Sequence, residues 1–140
     1  FMLHALSPFK IDESNRALSL QRDKAGLQVR YLSSEALSFR QWDGYEPPPT
    51  REFPNQWHVE AGTSAKSRQV HMITLIVPHQ GDKAPRLEAR RVDAPDSIDV
   101  QGTLDGRPFH VAFRREGVTG PWGGPLQVDG PVFADSKAAK

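Results

Sequence analysis

Leu104-Asp105-Gly106-Arg107-Pro108-Phe109-His110-Val111-Ala112-Phe113 carries the clearest fold signal in the chain. Asp-Gly is the pair favoured in a two-residue type I′ turn, because both central residues of that turn need positive φ. Beyond the turn, Phe109, Val111 and Phe113 alternate with His110 and Ala112. Alternation at two residues places one side of a strand in a core and the other in water. The stretch therefore predicts an antiparallel hairpin.

The same pattern extends outward in both directions. Ile98 and Val100 alternate ahead of the turn, as do Leu27-Val29-Tyr31, Leu37-Phe39 and Trp57-Val59-Ala61. Asp23-Lys24-Ala25-Gly26 predicts a second hairpin, with Gly26 supplying the positive φ that closes it. Asp129-Gly130 gives a third turn signal, weakened by Pro131 directly after it. Val70 to Val77 carries apolar groups on both faces, which predicts a central strand covered on each side. Pro47-Pro48-Pro49 excludes a central strand within the long connection from Trp42 to about Gln56. A further loop is expected from Pro78 to Pro85. No stretch of ten or more residues shows helical spacing without Gly or Pro interrupting it. About nine or ten short strands at this spacing predict an all-β antiparallel sandwich with little helix.

Length and composition set the bounds. A chain of 140 residues with 37% hydrophobic content suits one domain, expected to span 1–140, with a core that needs no metal or disulfide. Eighteen basic against 17 acidic residues give no electrostatic case for nucleic acid or an anionic membrane. The absence of cysteine excludes a disulfide framework, thiolate metal sites and a cysteine nucleophile. No apolar run approaches the roughly 20 residues of a membrane helix. The chain opens on Phe1-Met2-Leu3-His4-Ala5-Leu6 with no signal-peptide pattern. An apolar opening of this kind is expected of a strand cut from a longer protein, the alternative being a processed or tagged end. The last residues, Asp135 to Lys140, read as a natural tail.

Three groups of residues bear on function. His4, His58, His71, His79 and His110 include no H-x-H or H-E-x-x-H spacing, so no metal site is predicted. His58 and His110 lie one position out of step with the core residues, which predicts half-exposed side chains. Arg86, Arg90, Arg91, Arg107, Arg114 and Arg115 form a basic cluster able to grip carboxylate or sulfate. The interleaved Glu88, Asp93, Asp96 and Glu116 favour a mixed, solvated face instead. Trp57 fits the buried side of its strand. Trp42 and Tyr45 beside the proline loop, with Trp122 in Gly120-Pro121-Trp122-Gly123-Gly124, are either a platform for sugar rings or plugs that pin long loops. No Gly-x-Ser-x-Gly elbow and no glycine-rich phosphate loop occurs.

Three segments resemble the C-terminal β-sandwich region of heparinase II/III-like polysaccharide lyases, which include alginate and other uronate-polysaccharide lyases. They are Phe1 to Leu6; Asn55-Gln56-Trp57-His58-Val59-Glu60 with the following Gln69 to Pro78; and Leu104-Asp105-Gly106-Arg107-Pro108-Phe109. The resemblance spans most of residues 1–115. It implies a parent enzyme, secreted or periplasmic, with an α-helical toroid ahead of this segment. That parent cleaves uronic-acid-containing polysaccharide by β-elimination, in which a base takes the C5 proton while the carboxylate is neutralised. The family's catalytic Tyr and His motifs match no position here; within the matching segments His4 is the one residue singled out as more than structural, and the resemblance gives it no defined role. The expectation is an accessory domain, not itself an enzyme and without a cofactor or metal of its own. It would pack against the parent's catalytic domains and line a cleft for acidic polysaccharide. Trp42, Tyr45, Trp122 and Arg90 are the expected glycan contacts. The alternative is an independent carbohydrate-binding module.

Overall fold

The computed structural model describes residues 1–115 and, further on, the strand at 126–129. Trp122, Gly130 and the closing tail lie outside the described residues, as does the side chain of Arg114. The fold is all-β, with eleven strands in three antiparallel sheets and no helix among the described residues. The chain forms two compact units, Phe1–Ala84 and the part from Pro85 onward.

The first unit is built from two sheets. One carries β1 (Met2–Ala5), β6 (Trp57–Thr63) and β5 (Leu37–Asp43) in the order β1-β6-β5. The other carries β2 (Lys10–Asp12), β3 (Ala17–Arg22), β4 (Ala25–Ser33) and β7 (Met72–Gln80) in the order β2-β3-β4-β7. Leu18, Val29 and Tyr31 from the four-stranded sheet share one core with Val59 and Ala61 from the three-stranded sheet, and Phe9 joins them from a loop. Two apolar sheet faces pressed together in this way make a sandwich. The alternation predicted for β4, β5 and β6 is what builds it.

Tyr31 is the largest side chain in this core, flanked by Phe1 and Phe39 at centroid distances of 5.8 and 5.6 Å. Burial pushes its phenol up to about 12. Gln41 breaks the apolar pattern of β5 at an inward position. Its Oε1 accepts the Phe9 backbone N–H at 2.7 Å and its Nε2 donates to the Phe9 carbonyl at 3.2 Å, tying that loop to the sheet. A polar group so satisfied is tolerated inside a core.

Among the described residues the second unit is one sheet of β8 (Leu87–Asp93), β9 (Ser97–Leu104), β10 (Arg107–Arg114) and β11 (Leu126–Asp129), in the order β11-β10-β9-β8. Asp105 and Gly106 close β9 onto β10 with φ of 51° and 78°, and Leu104 faces Arg107 in register. Positive φ at both central residues is the type I′ geometry that the pair predicts.

Two expectations are corrected. Among the described residues β7 is an edge strand, paired with β4 alone, and it runs through Pro78 instead of stopping there. Proline is accepted in an edge strand because its missing N–H breaks no ladder on the unpaired side. Gly26 does not close the first hairpin; Asp23, with φ of 44°, stands in its turn. Gly26 lies inside β4, and the His79 ring and the Gln21 side chain occupy the space a Cβ would need.

Candidate functional site

The strand register determines which side chains share the outer face of the three-stranded sheet. His4, His58 and Trp42 stand opposite one another across β1, β6 and β5, and Met2, Glu60 and Arg40 form the next row. Because Val59 and Ala61 face the core, His58 and Glu60, which alternate with them, must face away from it. On that outer face Trp42 stacks on His58 with ring centroids 5.4 Å apart and an interplanar angle of 11°. His4 meets the same imidazole edge-on at 4.4 Å, and Tyr45 does so at 5.6 Å. The Arg40 guanidinium lies 5.0 Å from the Trp42 ring centre, within cation–π range.

His58 is consequently buried, at 6% exposure, and its Nε2 has no hydrogen-bond partner. This corrects the expectation of a half-exposed side chain. Strand alternation shows which face a residue takes but not what a neighbouring loop lays over that face. Trp42 and Tyr45 are each half-buried against His58. Trp57 is half-buried on the core-facing side of β6.

The loop that carries Tyr45 is held at its base. Gly44, with φ of 84°, donates its N–H to the Gln56 carbonyl at 2.9 Å. Tyr45 Oη donates to the Pro54 carbonyl at 3.3 Å, and Asn55 Nδ2 donates to Asp43 Oδ2 at 3.2 Å. Closed ends and internal bracing are the marks of a compact Ω-type loop. Within it lies an open groove of about 660 Å³, lined by Tyr45, Pro48, Pro49, Arg51, Phe53 and Asn55 among others. A roomier hollow of about 890 Å³ lies by the β3–β4 turn, lined by Arg22, Asp23 and Lys24 with no aromatic side chain. Of these two hollows, the loop groove is the one lined by aromatic rings. Arg51 and Phe53 are groove residues that sequence reasoning missed, since irregular loops carry no periodicity to read.

Arg90 belongs to the second unit. It is exposed on β8 and donates from Nη2 to Gln101 Oε1 at 3.0 Å. Three of the basic residues around it are matched by acids. Arg86 pairs with Glu88 at 2.6 Å, and Arg91 grips both Asp93 oxygens at 2.9 and 2.8 Å. Arg115 reaches Asp93 at 2.8 Å and the Ala94 carbonyl at 3.1 Å. The hydrogen bond from Arg91, with the charges of Arg91 and Arg115, holds the Asp93 carboxyl below its usual range. On the same sheet Asp99 accepts from Ser97 Oγ at 2.7 Å and lies 3.1 Å from His110 Nε2.

The structure thus brings Trp42 and Tyr45 together around His58 and assigns Arg90 to a mixed-charge face. Trp122 lies outside the described residues. Among the described residues no group of three or more His, Cys, Asp or Glu is arranged to hold a metal ion, and no helix is long and apolar enough to cross a membrane. No protein-family model matches the chain, and none of the curated proteins does.

Proposed function

We propose that this chain is an accessory β-sandwich domain of a heparinase II/III-like polysaccharide lyase, holding acidic polysaccharide for catalytic domains elsewhere in the parent. The observation that carries the reading is the outer face on which Arg40, Trp42 and Tyr45 gather over a buried His58. Aromatic rings present flat apolar faces to the C–H side of a sugar, and a guanidinium pairs with a uronate carboxylate. The sheet beneath fixes both in place.

The test has two arms. Incubating the domain with alginate, heparin and related uronates, while following absorbance of the unsaturated product, is expected to show no turnover. Sustained turnover that depends on residues of this chain refutes the accessory role. In affinity electrophoresis, acidic polysaccharide is expected to retard the domain more than a neutral glycan does, and Trp42→Ala is expected to reduce that retardation. A second reading, an independent carbohydrate-binding module, draws on the self-contained core of the first unit. It requires strong retardation by the domain alone, whereas a domain that only lines a shared cleft gives weak retardation.

A further inference from the structure

We propose that the groove of the 44–55 loop, which shares Tyr45 with that outer face, is a sugar subsite taking one pyranose ring that carries a carboxylate. This rests on the glycan reading above and names the site and the ligand class within it. The groove's volume of about 660 Å³ falls within the roughly 300–1,000 Å³ of small-ligand sites. Its lining is chemically mixed. Tyr45 and Phe53 supply ring faces, and Pro48 and Pro49 supply a stiff apolar wall. Arg51, Glu52, Thr50 and Asn55 supply polar groups.

The loop is organised before any ligand arrives. The Gly44–Gln56 bond closes its base, while the Tyr45–Pro54 and Asn55–Asp43 bonds brace its interior. Preorganisation lowers the entropy cost of binding. Against this braced frame Phe53 is 60% exposed, the most exposed of the large hydrophobic side chains described. An exposed aromatic beside a braced groove gives up water contact when a sugar ring covers it. Arg51 is also exposed and forms no salt bridge among the described residues, so its two-pronged donor face is available to a carboxylate. Glu52 and Asn55 Oδ1 are acceptors suited to sugar hydroxyls.

Calorimetric titration of the domain with a uronate trisaccharide, and with a neutral glucose trisaccharide, tests the assignment. The uronate is expected to bind more tightly. Arg51→Gln should weaken the uronate by about tenfold or more and leave the neutral sugar unchanged. Phe53→Ala should weaken both, and Glu52→Gln should strengthen the uronate by removing a like charge. All three positions are exposed, and superimposable amide NMR spectra outside the loop will show that the variants fold. Uronate binding untouched by Arg51→Gln and Phe53→Ala overturns the groove as the site, while the accessory role stands on another surface. Equal binding of the neutral sugar overturns the carboxylate requirement. No binding of any uronate by the parent sequence overturns the glycan reading together with this inference.

Discussion

His58 on β6 and His110 on β10 occupy the same place in their strands, each between apolar residues that face the other way. Their surroundings nonetheless differ in kind. His58 is walled in by three rings, with one nitrogen buried and unpaired. His110 lies beside Asp99, with over a third of its side chain still exposed. The first face of the molecule is cohesive through ring packing; the second is held by charge and hydrogen bonds. Ring packing survives salt and asks for shape, whereas exposed ion pairs are weakened by salt and contribute little singly.

Substitutions can break this contrast, and the largest effect is expected from His58→Asp. A carboxylate among rings with no donor is an uncompensated buried charge, costing about 3 kcal/mol or more. Thermal unfolding should show a large loss of Tm for His58→Asp, while His110→Asn on the other face should stay within about 1 kcal/mol. Next comes Trp42→Ala, which uncovers one face of His58. Since Trp42 is only half-buried, the expected cost is about 2 kcal/mol, below that of a fully buried tryptophan, measured by urea unfolding. Smaller again is His58→Phe, which keeps the ring and deletes the unpaired nitrogen; stability should hold or rise by up to about 1 kcal/mol. The matching His110→Phe should destabilise, because Asp99 loses a partner. Equal effects at the two sites would erase the distinction.

The smallest effect is one of pH. Asp93 is held below its usual range in the folded protein, so its contribution is fully present above the ordinary carboxylate value and is lost as pH falls through the depressed one. NMR titration of the Asp93 carboxyl carbon should show a lowered midpoint that Arg91→Ala returns toward normal. Asp12 offers a parallel. Hydrogen bonds from Asn15 and Ser14 hold it at about 2, and Asn15→Ala should raise it.

Much of the strand set was legible because its signals are local. Alternation in Leu27-Val29-Tyr31 and Trp57-Val59-Ala61 named the core residues of β4 and β6, and Asp105-Gly106 named its own turn. What was not legible depends on partners distant in sequence. Val70 to Val77 is apolar on both faces whether it is central or at an edge, and only its place at the end of the β2-β3-β4-β7 order among the described strands decides it. Gly26 resembles a turn glycine until His79, from another strand, is seen lying over it. The candidate site divides likewise. Trp42 and Tyr45 stood out as aromatics beside prolines, but their convergence on His58 needs the β5–β6 register. Arg51 and Phe53 became visible only once the loop closed on itself.

Pro78 carries a consequence for the company this protein keeps. A nine-residue border strand rich in Ile, Leu and Val is a template onto which stray chains can zip, the first step toward fibrils. The pyrrolidine ring near its end removes one rung from that template and shortens the run a stranger could copy. Replacing it with valine should leave the monomer folded yet hasten thioflavin-positive aggregation on prolonged warming.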